Sequence, residues 1–114
     1  MWRSPLSVRT ATLGVRQAGP DVLRAAEQTL VENGWSVRSA GGGLDAREDP
    51  ARLHCHCWPA EVRVQVDRSE SLGTVLKIRV KVPGLGPISG RHASEQLALV
   101  SRLIDQAQTG GLAD

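Results

Sequence analysis

The densest group of chemically reactive side chains lies in residues 53–58, which read Leu-His-Cys-His-Cys-Trp. Imidazole and thiolate are the ligands that zinc and copper prefer in proteins. On an extended strand alternate residues point to opposite faces, so His54 and His56 share one face and the two cysteines share the other. The third histidine of the chain is His92. One interpretation is therefore a zinc or copper ion held by His54, His56 and His92. The alternative is that the cysteines are small buried residues and the histidines face solvent.

The two cysteines also indicate the compartment. Cys55 and Cys57 are the only cysteines of the chain, and a disulfide between residues two apart on a strand would be strained and would close almost no loop. We therefore expect reduced thiols, as is typical of a cytoplasmic protein. Residues 1–8 contain no apolar stretch long enough for a signal peptide or a membrane span, which predicts no contact with a membrane.

A second group lies in residues 84–91, Gly-Leu-Gly-Pro-Ile-Ser-Gly-Arg. A glycine loop that leads into a helix can bind an anion with its free amides, and Arg91 can add a bidentate contact. The spacing matches neither the dinucleotide-binding fingerprint nor the P-loop, and Pro87 removes one amide. The loop also carries Leu85 and Ile88. These two residues either pack under the loop or, if exposed, form an apolar contact for a partner protein.

The third group is a row of basic side chains on two neighbouring segments. Like charges along one strand are unfavourable unless they are paired, and Glu61 and Asp67 are the expected cross-strand partners. One interpretation is a mutually paired, solvated face. The other is a surface for an acidic partner, either a nucleic-acid backbone or a negatively charged protein. The row consists of Arg63, Lys77, Arg79 and Lys81, extended by Arg9 and Arg38 if these share the face.

Nucleophilic catalysis has less support in the sequence. Ser89, Ser94 and the two cysteines are candidate nucleophiles, and His56 or His92 is a candidate base. No signature brings any such pair within reach. We therefore expect a protein without catalytic activity and without a resident cofactor.

The elements that hold these groups follow from hydrophobic periodicity. Residues 61–67 and 74–82 alternate apolar and charged side chains with a period of two, which is typical of an antiparallel hairpin with one buried face. Other strands are expected over residues 6–15, 35–40 and 44–47, with a further extended piece over 53–58 and a bulge or edge near Pro59.

Two amphipathic helices are expected to cover the buried face. The first should run from about residue 20 to residue 33, because Pro20 suits a first turn and Asp21 favours the positive end of the helix dipole. Gly34 then takes the left-handed conformation past the helix end, which predicts a contact of Trp35 with Leu30. The second helix follows the glycine loop and has an apolar stripe with helical spacing: Ala93, Leu97, Val100, Ile104 and Ala107.

These elements predict an α+β fold: a single twisted antiparallel sheet of four to five strands, covered on one face by two helices, in the order β-α-β-β-β-β-α. Residues 1–108 form one domain and residues 109–114 a flexible tail. The element order resembles one repeat of the TATA-box-binding protein fold and, more loosely, the helix-grip fold of lipid-transfer domains. The chain contains no phenylalanine, so the intercalating phenylalanines of the first family have no counterpart, and no residue is carried over.

Composition limits the functional classes. Fourteen basic and 12 acidic side chains give a formal net charge of +2, which is too balanced to indicate nucleic-acid binding by itself. The only aromatic residues are Trp2, Trp35 and Trp58, few for stacking on bases.

We therefore expect a small cytoplasmic binding or assembly module, without catalytic activity, that contacts a partner protein through its open charged face or a free sheet edge. The partner protein can also be a second copy of the chain, because free sheet edges favour homodimers. The alternatives are metal binding by the region of His54 and His56, and binding of a nucleic-acid backbone by the basic row.

Overall fold

The alternating segments form the centre of an antiparallel sheet. A computed structural model describes residues 6–16, 19–49, 59–70, 73–84 and 87–112 of the chain. The elements are β1 (Leu6–Val15), α1 (Gly19–Glu32), β2 (Ser36–Ala40), β3 (Gly43–Arg47), β4 (Glu61–Glu70), β5 (Gly73–Pro83) and α2 (Pro87–Leu112). The predicted α+β class and the order β-α-β-β-β-β-α are confirmed.

The five strands form one sheet in the order β1-β5-β4-β3-β2. The first strand of the chain therefore pairs with the last, with Leu6 opposite Pro83 and Val15 opposite Thr74. β1 and β2 are the two edge strands of the sheet. Both helices lie on one face, where α2 contacts β1 and β5, and α1 contacts β2, β3 and β4.

The covered face of the sheet forms the hydrophobic core. Alternate residues of β4 and β5 point into it and are almost completely buried: Val62, Val64, Leu76, Ile78, Val80 and Val82. α1 contributes Val22, Ala26 and Leu30, and α2 contributes Ala93, Val100 and Ile104. The period of two in the strands therefore predicted the core correctly, and so did the stripe of the second helix at Ala93, Val100 and Ile104. Leu97 is partly buried against the core, and the side chain of Ala107 lies outside the described part of the chain.

The end of α1 fixes the entry into β2. Gly34 has a φ of 88°, which favours glycine because L side chains rarely adopt it. The Trp35 amide donates a 3.0 Å hydrogen bond to the Leu30 carbonyl, and the Gly34 amide donates one of 3.0 Å to the Val31 carbonyl. These two bonds define the Schellman motif. Trp35 and Leu30 are both buried in the core, as predicted.

Several boundaries differ from the prediction, and two of the differences are larger than one residue. The hairpin strands extend to Glu70 and from Gly73, and a register shift lies between Val66 and Arg68. The bulge or edge expected near Pro59 stays a prediction, because residues 50–58 lie outside the described residues. Pro59 lies two residues before β4, which begins at Glu61, so its missing amide does not interrupt the ladder of β4.

The second difference concerns the end of the chain. α2 continues to Leu112, beyond the end of the apolar stripe, and the flexibility of residues 109–114 stays a prediction. The extended piece predicted over residues 53–58 lies outside the described residues. None of the helices that the structure describes is long and apolar enough to cross a membrane.

Candidate functional site

The sheet face opposite the helices is charged. Directly opposed residues of antiparallel strands share a face, so the register identifies the charged residues on this side of the regular part of the sheet. We call them the cationic face, which consists of Arg38, Asp45, Arg47, Glu61, Arg63, Lys77, Arg79 and Lys81. Six of these residues are basic and two are acidic, whereas the whole chain has a formal net charge of only +2. Positive charge is therefore concentrated on one side of the molecule.

These residues form two rows across the sheet. One row contains Arg79, Arg63, Asp45 and Arg38, and the other contains Lys81, Glu61 and Arg47. Lys77 lies one step further along β5, opposite Gln65. The two rows line a concave cavity of about 630 Å³ on the open side of the sheet.

Both carboxylates of the cationic face contact arginines of strands β2 to β4. Arg63 NH1 lies 3.1 Å from Asp45 Oδ1, and Arg38 NH2 lies 3.9 Å from Asp45 Oδ2. Arg47 NH2 lies 3.4 Å from Glu61 Oε1. Arg63 is held further by a 3.3 Å hydrogen bond that it donates to the Gly41 carbonyl. This half of the face is therefore largely neutralised.

The β5 half of the face differs. Among the described residues, no ion pair or side-chain hydrogen bond involves Lys77, Arg79 or Lys81. Glu61 lies opposite Lys81 in register, as expected, but its carboxylate contacts Arg47 instead. The expected pairing of the β5 cations with Glu61 and Asp67 is absent from the contacts of the described chain. Three neighbouring cations of one strand therefore have no ion-pair partner among the described residues.

Arg38 and Arg9, the expected extensions of the basic row, lie on opposite faces. Arg38 belongs to the cationic face, but Arg9 lies opposite Val80 on the covered side. Its Nε donates a 3.1 Å hydrogen bond to Ser94 Oγ, and its NH1 donates one of 2.9 Å to the Val8 carbonyl. A Cβ at Gly90 would lie 2.9 Å from Arg9 NH2, so this glycine lets the guanidinium pack on α2. Arg9 is therefore a connection between β1 and α2.

His92 occupies a buried polar position between α2 and the end of β3. Its Nε2 lies 2.7 Å from Glu48 Oε1, and the two side chains are only 9% and 13% exposed. Glu48 Oε1 also accepts a 3.1 Å hydrogen bond from the Ala60 amide. Glu48 could not be predicted from the sequence, because it follows β3 in an irregular segment where no periodicity marks an inward-facing residue.

The metal interpretation receives no further support from this geometry. His54 and His56 lie outside the described residues, so their convergence with His92 stays a prediction. Within the described ranges, no three histidine, cysteine, aspartate or glutamate side chains gather in a group that could hold a metal ion.

The glycine loop leads into α2, which begins at Pro87. Arg91 therefore lies in the second turn of the helix, where its exposed Nε is 3.8 Å from Glu95 Oε1. Ile88 is 61% exposed, which corresponds to the partner-contact alternative, and Leu85 lies outside the described residues. A Cβ at Gly84, whose φ is 104°, would lie 2.7 Å from Ser89 Oγ. The hydroxyl of Ser89 donates to the Pro83 carbonyl at 3.2 Å, so this close packing closes the turn.

Neither a protein-family model nor a curated protein matches this chain. The surface of the molecule is therefore the basis for assigning a function.

Proposed function

We propose that the protein is a non-catalytic binding module whose cationic face holds an acidic segment of a partner protein. The observation that supports this proposal is the division of the face. Asp45 and Glu61 are occupied by arginines, while Lys77, Arg79 and Lys81 make no ion pair with a described residue. Neighbouring cations without such partners repel one another. An anion of another molecule relieves this repulsion when it binds, so the three cations are well suited to an external anion.

The spacing of the β5 cations fits an extended peptide. Lys77, Arg79 and Lys81 alternate along the strand, so their side chains repeat every ~6.7 Å. An extended peptide with carboxylates at every second residue has the same repeat. Three ion pairs can therefore form together without distortion of either chain.

The composition of the face favours a polypeptide over a nucleic acid. Binding of single-stranded nucleic acid usually combines cations with aromatic side chains that stack on bases. Trp35 is the one tryptophan within the described residues, and it is buried in the core. Asp45 and Glu61 can accept hydrogen bonds from the backbone amides of a peptide, a donor that a phosphate backbone does not offer. A nucleic acid is therefore the alternative ligand, and the binding experiment distinguishes it from an acidic peptide.

The test measures binding of a fluorescent peptide of alternating glutamate and threonine by fluorescence anisotropy, at about 0.05 M and about 0.5 M salt. We expect binding at low salt that weakens as salt rises. The double variant Lys77→Glu/Lys81→Glu should weaken binding by about tenfold or more, because like charges then face the peptide.

A matched control separates the face from the total charge. Arg24 and Arg102 are exposed residues on α1 and α2, and Arg24→Glu/Arg102→Glu changes the net charge by the same amount. This control should keep the affinity within about twofold. Equal losses in both double variants would reject the site. Tighter binding of an oligothymidine with the same number of charges would instead support the nucleic-acid alternative.

A further inference from the structure

Among the described residues, the outer side of β1 is a long sheet edge without the usual protection. β1 has ten residues, whereas the other edge strand, β2, has five and carries Arg38. Natural edge strands are protected by shortness, lysine, proline or a bulge. Between Thr10 and Val15, β1 has none of these features. In the part of the chain that the structure describes, β1 contacts β5 beside it and α2 above it.

The backbone groups that face outward can be identified. A Cβ on Gly73 would collide with the Val15 carbonyl oxygen, so this carbonyl points toward β5. Backbone groups alternate sides along an antiparallel strand, so the odd-numbered residues of β1 pair with β5 and the even-numbered residues face outward. The Val8 carbonyl agrees with this assignment, because it accepts its hydrogen bond from Arg9 NH1. The outward groups beyond it belong to Thr10, Thr12 and Gly14.

We propose that the outer side of β1 pairs with β1 of a second copy of the chain, antiparallel, about a two-fold axis at Thr12. Thr12 then lies opposite its own copy, and Thr10 lies opposite Gly14 of the other copy. The outward amides and carbonyls of these residues complete each other's hydrogen bonds. An isologous contact of this kind closes as a dimer and leaves no new edge at the interface.

The charge pattern of β1 favours a second copy over a charged peptide. Arg9 is the only charged residue of the strand, and its guanidinium bonds to Ser94 and Val8. Two copies can therefore meet without like charges in contact. An acidic peptide would find on β1 only Arg9, whose guanidinium is already hydrogen-bonded, and a basic peptide would find no acidic residue. The exposed side chains next to the axis are threonines, which are favourable in cross-strand pairs.

The proposed dimer would extend the open surface. A two-fold axis perpendicular to the sheet places both cationic faces on the same side of one ten-stranded sheet. The two β5 strands are then separated by three strand spacings, about 14 Å. The dimer itself does not depend on the binding of an acidic partner.

Size-exclusion chromatography with light scattering, over a range of protein concentrations at about 0.5 M salt, tests the proposal. We expect a dimer that dissociates on dilution. Thr12→Pro removes an outward amide but no β1–β5 hydrogen bond, so it should raise the dissociation constant by about tenfold or more. Thr12→Lys should act in the same direction. Ser36→Lys, an exposed residue on the opposite edge, is the matched control and should leave the dimer unchanged.

A second measurement does not depend on how well these variants fold. In a Cys55→Ala/Cys57→Ala background, Thr12→Cys should be joined to its own copy by a short bismaleimide. Ser36→Cys should give far less covalent dimer. A monomer at every concentration, or a dimer weakened by Ser36→Lys and not by Thr12→Pro, would overturn the proposal. Lys77→Glu/Lys81→Glu should still dimerise, so this result is independent of the result for the cationic face.

Discussion

At the level of single residues, Glu48 has an unusual double role. One carboxylate oxygen contacts His92 Nε2 and also accepts the hydrogen bond of the Ala60 amide. The Glu48 amide in turn donates to the Ala60 carbonyl at 3.0 Å. These contacts join the end of β3, the start of β4 and α2. Removal of the carboxylate leaves two buried polar groups without this acceptor, which is more costly than the loss of an exposed bond.

We predict that Glu48→Ala lowers the free energy of unfolding by about 2 to 4 kcal/mol, the range for breaking a buried polar pair. Glu48→Gln should cost less, because its amide oxygen can still accept from Ala60. Urea unfolding followed by circular dichroism measures both. Glu32→Ala, which removes an exposed carboxylate on α1, should change the stability by less than about 0.5 kcal/mol. A similarly small effect of Glu48→Ala would show that the buried contacts contribute little.

At the level of elements, α2 presents two isoleucines in opposite environments. Ile104 is completely buried against the sheet, while Ile88 is 61% exposed in the first turn. The same substitution therefore distinguishes the packed stripe from the free surface of a single helix.

We predict that Ile104→Ala lowers the free energy of unfolding by about 3 kcal/mol, because it leaves a cavity between α2 and the sheet. Ile88→Ala should change it by less than about 0.5 kcal/mol. Urea unfolding of both variants is the measurement. Equal effects would mean that α2 does not lie on the sheet as described.

Most elements could be predicted from the sequence because their burial repeats with a clear period. The alternating valines of β4 and the stripe from Ala93 to Ile104 are such cases. The pairing of β1 with β5 could not be predicted, because alternation of apolar and polar residues indicates a strand but does not identify the strand beside it. The bulge at Asp67 was missed for a related reason: no glycine or proline marks it.

The charged site was only partly predictable. The period of two correctly placed Arg63, Lys77, Arg79 and Lys81 on one face. It could not show which neighbouring strand supplies the basic side chain that contacts each carboxylate. The contact of Glu61 with Arg47 was therefore unexpected. Arg9 was ambiguous because β1 has residues of mixed polarity on both faces, and its contact with Ser94 depends on the position of α2.

At the level of the whole molecule, positive charge is concentrated on the open face although the chain is nearly neutral. Arg79 lies directly opposite Arg63, and like charges in this position destabilise a sheet. The arrangement therefore lowers the stability of the fold slightly, which is expected if the cations serve a binding partner.

We predict that Arg79→Thr raises the free energy of unfolding by about 0.5 kcal/mol at low salt, because it removes this repulsion. The gain should shrink in about 1 M salt, where charges are screened within about 3 Å. Urea unfolding at the two salt concentrations gives the difference. A gain independent of salt would indicate the strand preference of threonine rather than relief of repulsion.

The pairing of β1 with β5 affects how the protein folds during its synthesis on the ribosome. The ladder between Leu6 and Pro83 can form only after β5 has been translated, so β1 stays without its neighbour while the intervening residues are made. Closure of such distant pairs is slow because a long loop must be ordered first. During this interval β1 is exposed to other nascent chains, and Arg9, the charged residue within the strand, reduces the risk of aggregation.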